Sequence, residues 1–406
     1  MRLPRNAMHA LLAIGILLPV VGCGGAPKKS DGRIVIWMQM DPEERLRFEK
    51  NLEAYRAAHP DAQVEAVPYD TENLRQQFQT AAAAGSGPEI IFGPSDQVGP
   101  LSLLQLLLPL EETMPAGFFD RFIPQSLDTL GGHLWAAPDQ IGNHLMLVYN
   151  KALVPQPPAD HATFLAEAKR LTGKGRYGFA MNMGEPYWLA PFLAGFGGWV
   201  MDEASHPTLD TPAMRDALGY LASLRAAGIM PKESDYQVAE TLFKEGKAAM
   251  IVNGPWSWSG YRKAGIDVGV APLWVLPNGQ PARPMTASKG YSINVNVPAE
   301  EKQQVIELIT FLTSPEAQLR DAIALGILPS HRDAWSDPSI QGDPLLKLSQ
   351  VGIELGKRMP VVPEMRVLWD TMRPGMQQVM NGSRTPEVAA REMQASAVQQ
   401  IAGMKR

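Results

Sequence analysis
The apolar residues of this chain fall into short β-rich runs that alternate with stretches of helical periodicity. Arg33-Ile34-Val35-Ile36-Trp37 reads as a buried first strand. Asp41-Pro42-Glu43-Glu44 then carries the marks of a helix start: a capping Asp, Pro at the first helical position and acids in the first turn. Phe48, Leu52 and Tyr55 recur at helical spacing until His59-Pro60 stops the run. Residues 64–68 predict a second strand, 73–84 a second helix and 89–92 a third strand. The order β-α-β-α-β predicts an α/β fold with a doubly wound parallel sheet. The Leu-rich stretch 101–110, interrupted by Ser102, Gln105 and Pro109, predicts a buried helix ending in Leu108-Pro109-Leu110.

A second α/β unit follows over 143–272, with a strand at 145–149, a helix near 162–171, and strand and helix pairs around Tyr177 and Lys247. Residues 292–296 predict a further strand, backed by a helix over 300–313. From 363 to 401 the pattern is helical, with Met365, Trp369, Met372 and Met376 on one stripe and a kink expected at Pro374. No internal repeat of fixed period is present.

The N-terminal residues change the picture of where the protein works. Arg2 and Arg5 precede an apolar run over 10–21, which is short of the roughly 20 residues a bilayer-spanning helix needs. It reads as the core of a signal peptide covering 1–22. Val20-Val21-Gly22-Cys23 resembles a lipobox, and Cys23 is the one cysteine of the chain. The expectation is an exported protein held to the membrane by acyl chains on Cys23, with residues 23–31 as a flexible tether. Without a second cysteine no internal disulfide is possible. The remaining length exceeds one core and suits two domains. A net charge of −5 with both signs interspersed argues against a nucleic-acid surface, and no later run is long and apolar enough to span a bilayer.

The most informative chemistry lies in 246–259. Ala248-Ala249-Met250-Ile251-Val252 reads as a buried strand that stops at Asn253-Gly254-Pro255 and presents Trp256 and Trp258 at its exit. Rings at the carboxyl end of an α/β strand stand where such sheets place ligands. This segment is similar to one in the bacterial extracellular solute-binding proteins (family 1) of ABC sugar importers, the maltose/maltodextrin-binding proteins in particular. Further likeness runs over nearly all of the chain after residue 22. It includes Val148-Tyr149-Asn150-Lys151-Ala152-Leu153, Gly184-Glu185-Pro186-Tyr187-Trp188 with Gly197-Gly198, and Met359-Pro360 through Pro363-Glu364-Met365 to Trp369 and Arg373.

The resemblance implies a two-lobed clamshell of periplasmic-binding-protein type II, each lobe a doubly wound sheet with flanking helices, and a hinge of three crossings. Lobe one would hold 31–141 and 285–330, lobe two 142–284 and 331–406. It implies a monomer that traps a sugar between the lobes and docks on the transmembrane subunits of an ABC permease, with no cofactor. Tyr187, Trp256 and Trp369 match positions that stack on sugar faces, and Asp41, Asp96, Glu185 and Arg373 match positions that bond hydroxyls. Aromatic planes suit the C–H faces of a pyranose, and charged acceptors suit its rim.

Each residue also has an ordinary reading. Asp41 is a good helix N-cap, Asp96 a turn former, and Glu185 a loop carboxylate. Trp256 and Trp258 are both candidates for core, with Trp258 expected buried and Trp256 stacking. Trp369 sits on a Met-rich stripe, where core packing is the default. At four places the chain departs from the maltose-binding pattern: Pro42, Gly93, Gln97 and Asn143. Maltose, a maltodextrin, trehalose and other α-glucosides therefore all remain open. No metal-ligand spacing, Walker loop or Gly-x-Ser-x-Gly elbow is present. The rival readings are a glycosidase using two carboxylates and a sugar-sensing receptor subunit.

Overall fold
The computed structural model describes residues 32–404, so the expected signal peptide, Cys23 and the tether lie outside the described residues. The chain begins with β1 (Arg33–Met38), α1 (Pro42–Ala58), β2 (Gln63–Pro68), α2 (Thr71–Ala83) and β3 (Ile90–Pro94). These boundaries follow local chemistry. The Asp41 N–H donates to the Glu44 carboxylate at 3.0 Å, and Asp70 accepts from the Asn73 N–H at 3.0 Å, so both helices start on side-chain caps. Next come α3 (Val98–Leu103) and β4 (Ala137–Gly142).

The Leu-rich helix is shorter than expected. Gln105 adopts a left-handed φ of 56°, and the Leu106 N–H turns back to the Leu101 carbonyl at 3.0 Å, which closes the helix. Leu106, Leu107 and Leu110 are buried after the turn, while Leu103 and Leu104 face solvent. The apolar content belongs to a turn over the core rather than to one helix.

The second unit comprises β5 (Met146–Asn150), α4 (His161–Leu171), β6 (Tyr177–Met181), α5 (Pro212–Ala226), α6 (Tyr236–Lys244), β7 (Ala248–Asn253), α7 (Trp258–Lys263) and β8 (Val268–Ala271). Its sheet has the order β8-β5-β7-β6. Phe164 stacks on Trp274 at 3.6 Å in its core, where Trp274 also donates to the Tyr220 hydroxyl at 2.7 Å.

The chain continues through β9 (Met285–Ile293), α8 (Lys302–Leu312), α9 (Pro315–Leu325), β10 (Leu328–Pro329), α10 (Arg332–Ser336), α11 (Pro338–Gln341) and α12 (Pro344–Leu355). It ends with β11 (Lys357–Arg358), α13 (Glu364–Met380) and α14 (Pro386–Met404). The larger sheet runs β10-β4-β9-β3-β1-β2, with β11 paired to the start of β9. The parallel sheet expected from the first five elements holds for β2-β1-β3, but β9 lies antiparallel to β3 and β4, so the sheet is mixed. β9 starts seven residues before the expected 292 because Thr286, Ser288, Lys289 and Gly290 disguise a strand that is buried along its whole length.

The expected C-terminal helix is two helices, parted at Asn381-Gly382-Ser383, where Gly382 has φ 79°. Pro374 lies inside α13 without ending it, and Met365, Met372 and Met376 are fully buried in the core of the second half.

Three stretches of chain pass between the halves: β4 to β5, β8 to β9, and α12 through β11 to α13. They are joined to one another, with Gly142 opposite Ala287, and Met285 and Thr286 opposite Lys357 and Arg358. β9 threads both cores, since Met285 and Ala287 pack in the second and Tyr291 and Ile293 in the first. Ile340 and Trp335 pack with Ala322 and Leu328, so 331–341 lies against α9 and β10. Leu319 and Ala322 supply the apolar face of α9 that covers Ile340 and Trp335.

Candidate functional site
β1 and β3 are adjacent and parallel, so their carboxyl ends reach the same edge of the larger sheet. Asp41 follows the first and Asp96, in the turn Ser95–Gln97, follows the second. In the other half β6 and β7 are likewise adjacent and parallel. The loop after β6 carries Glu185 and Tyr187, and the turn after β7 carries Trp256. Trp369 and Arg373 stand one turn apart on α13, which brings them to one face. All seven side chains line a single cavity of about 610 Å³ between the halves.

The polar atoms of this cavity are already bonded to protein, two of the pairs from one half to the other. The Tyr236 hydroxyl donates to Asp41 at 3.2 Å and accepts from the Trp256 indole N–H at 3.1 Å. The Trp369 indole N–H donates to Asp96 at 3.0 Å. Arg373 grips Glu185 with Nε at 2.9 Å and a second nitrogen at 3.0 Å, a charge-assisted fork. Tyr187 donates its hydroxyl to the backbone carbonyls of Asn143 and, at 3.2 Å, of Met285, and these belong to two of the three crossings. Beneath Asp41 the buried pair of Glu44 and Lys289, 2.9 Å apart, is completed by Gln140 at 3.2 Å.

Burial raises the Asp41 carboxyl to about 7, reinforced by the nearby negative charges of Glu44 and Glu240 and opposed by Lys289 and the Tyr236 hydrogen bond. Burial raises Asp96 to about 6, which the Trp369 hydrogen bond partly offsets. The Tyr187 hydroxyl is pushed upward by burial and by the charge of Asp96, and so stays protonated as a donor.

The ordinary readings prove compatible with a place in the cavity. Asp41 is at the N-cap of α1 and also reaches the cleft. Trp369 is only 6% exposed and belongs to the second core, with its N–H edge aimed at Asp96. Trp258 is fully buried, whereas Trp256 is half-buried at the cavity wall. At the departures, Pro42 and Asn143 line the cavity, Asn143 with a left-handed φ of 45°. A Cβ on Gly93 would meet the Gln97 amide at 2.8 Å, so the Gln97 side chain occupies the space that a residue at 93 would need.

Sequence reasoning missed Tyr236, Glu72, Tyr69, Asn182 and Lys289, which also line the cavity. Tyr236 has only the Asp235 cap before it as a local signal, and Lys289 sits in a strand that the pattern hid. Glu111, Glu112 and His133 are the one grouping with metal-ligand proximity among the described residues, and none of them lines the cavity. No helix among the described residues is long and apolar enough to cross a membrane.

Residues 50–347 match the family described as bacterial extracellular solute-binding protein. The fold is similar to that of the maltose/maltodextrin-binding domain of Bdellovibrio bacteriovorus solved with maltotriose bound, at TM-score 0.89 and 38% identity, covering 91% of this chain and 100% of that one. The chain is 27% identical over 366 residues to a maltotriose-binding protein of Pyrococcus abyssi, covering 88% of this chain and 80% of the relative. It is 26% identical over 329 residues to a maltooligosaccharide ABC transporter solute-binding lipoprotein of Streptococcus pneumoniae, covering 76% and 75%.

Proposed function
The chain belongs to the bacterial extracellular solute-binding proteins, and from that premise we propose that it captures a maltooligosaccharide between its halves and passes it, uncleaved, to an ABC permease. The observation that carries this reading is the meeting of Asp41, Asp96, Glu185, Tyr187, Trp256, Trp369 and Arg373 in one cavity from five separate stretches of chain. Its volume of about 610 Å³ falls within the roughly 300–1,000 Å³ usual for small-molecule sites. Tyr187, Trp256 and Trp369 would cover sugar faces, and the carboxylates with Arg373 would take hydroxyls, exchanging their present partners for the ligand.

Maltotriose, bound in the Bdellovibrio domain, is favoured over trehalose because the named relatives take maltose-series sugars. The lobes would be those expected from the sequence, with 331–341 moved to the first. Closure would be a hinge motion, the sugar selecting the shut form by contacting both walls. The protein would act as an exported monomer held by lipid at Cys23, as the Streptococcus relative's description as a lipoprotein supports.

The test is a tryptophan-fluorescence titration with maltose, maltotriose, maltotetraose and trehalose, followed by chromatography of the sugar. Saturable binding of maltotriose with the sugar recovered intact is expected. A flat response to the maltose series, or release of glucose, would overturn the reading.

A further inference from the structure
Two acidic residues outside the ring-bearing segments join one half of the molecule to the other. Glu72, in the first turn of α2, forms an ion pair with Arg366 of α13 and lies 3.7 Å from Arg373. Glu43, in the first turn of α1, pairs with Lys263 at the end of α7. The acids ride on helices that follow strands of the larger sheet, and their cationic partners ride on helices of the second half. Asp370 already holds Arg366 at 2.6 Å and lies 3.5 Å from Arg373, so both guanidinium groups are positioned within α13 itself. Glu72 is therefore the member that adds a contact between halves.

We propose that Glu72 and Glu43 are ionic clasps that favour the closed cleft, so that affinity for an uncharged sugar contains an electrostatic part made entirely by protein contacts. The inference rests on the sugar-binding reading above. A ligand that selects the shut form binds more tightly when that form is already more populated, and contacts between halves set that population. Each clasp has one partner well open to solvent, Lys263 at 62% and Glu72 at 45%, and one largely covered, Glu43 at 22% and Arg366 at 18%, so dissolved ions reach them from one side. The screening length falls from about 8 Å at physiological salt to about 3 Å at 1 M. A neutral oligosaccharide brings no charge of its own, so salt acts on its binding through protein pairs: the clasps, and the Glu185–Arg373 fork that the sugar would loosen, which screening affects in the opposite sense.

The experiment is calorimetric titration with maltotriose at low salt and at about 1 M NaCl, for the wild type, Glu72→Gln, Glu43→Gln and the double variant. It is paired with small-angle scattering of the ligand-free proteins under the same conditions. The wild type should bind a few-fold more weakly at high salt, with a larger radius of gyration when ligand-free. The double variant should start weaker and expanded and lose most of its response to salt. Glu43 does not line the cavity, so a reduced salt response in Glu43→Gln would not come from a lost sugar contact. Wild-type affinity and radius that both ignore salt, or a double variant with the full salt response, would overturn the clasps. A salt-sensitive radius without any maltotriose binding would instead remove the sugar reading and leave the clasps standing.

Discussion
The two walls of the cavity are built from different chemistry. The first half contributes Asp41, Asp96 and the buried Glu44–Lys289 pair, while the second contributes the rings of Tyr187, Trp256 and Trp369 with the Glu185–Arg373 fork. The carboxylate wall opposes folding at neutral pH, because Asp41 and Asp96 are held where burial disfavours their charge. The ring wall favours folding, because Trp369 packs into the second core. A site divided in this way is incomplete on either half. A ligand offering both apolar faces and hydroxyls gains from both walls only when they approach.

Removing the more deeply buried indole should break this contrast most strongly. Trp369→Ala should lose maltotriose binding and also destabilise the protein by about 3–5 kcal/mol, since it opens a cavity in the second core. Urea unfolding measures the second effect, and a variant as stable as the wild type would show that this ring supports the site alone. Trp256→Ala sharpens the distinction. The ring is only half-buried, so calorimetric affinity should fall at least tenfold, about 1.4 kcal/mol, while the melting temperature of the ligand-free protein stays nearly unchanged. An unaltered affinity would remove Trp256 from the proposed site.

The smallest effect tests the other wall through pH. Asp41 and Asp96, at about 7 and about 6, lie above the ordinary aspartate value near 3.9. The folded state therefore binds these protons more tightly than the unfolded chain. Stability contributed by the protonated forms is full below about pH 4, declines as pH rises through about 7, and is level beyond. Asp96→Asn removes one of these groups while keeping an acceptor for the Trp369 N–H. It should raise the melting temperature by a few degrees at pH 8, on the order of 1 kcal/mol after solvent screening, and leave it unchanged near pH 4. Equal melting of variant and wild type at pH 8 would mean that the carboxylate wall carries no folding cost.

Local pattern alone placed β1, α1, β2, α2 and β3, because each has its own periodicity and stop signal: Asp41-Pro42 to open a helix, His59-Pro60 to close it. The exit of β7 into Trp256 was equally plain, since two indoles directly after an aliphatic strand stand out from it. Where polar residues are buried by distant partners, pattern gave no guide. Lys289 reads as a solvent residue until Glu44, 245 positions away, is seen to neutralise it. Tyr236 is an ordinary first residue of a helix until Asp41 and Trp256 meet at its hydroxyl.

What the chain dictates by itself is the inventory of elements and the residue types at their ends, because dihedral preference, capping and apolar periodicity act within a few residues. Tertiary structure alone decided that carboxylates from two strands of one sheet face rings from the other half, and which acids reach across the opening to a cation. Those outcomes depend on three joined crossings and on charges whose partners lie hundreds of positions apart, distances over which no local preference carries information.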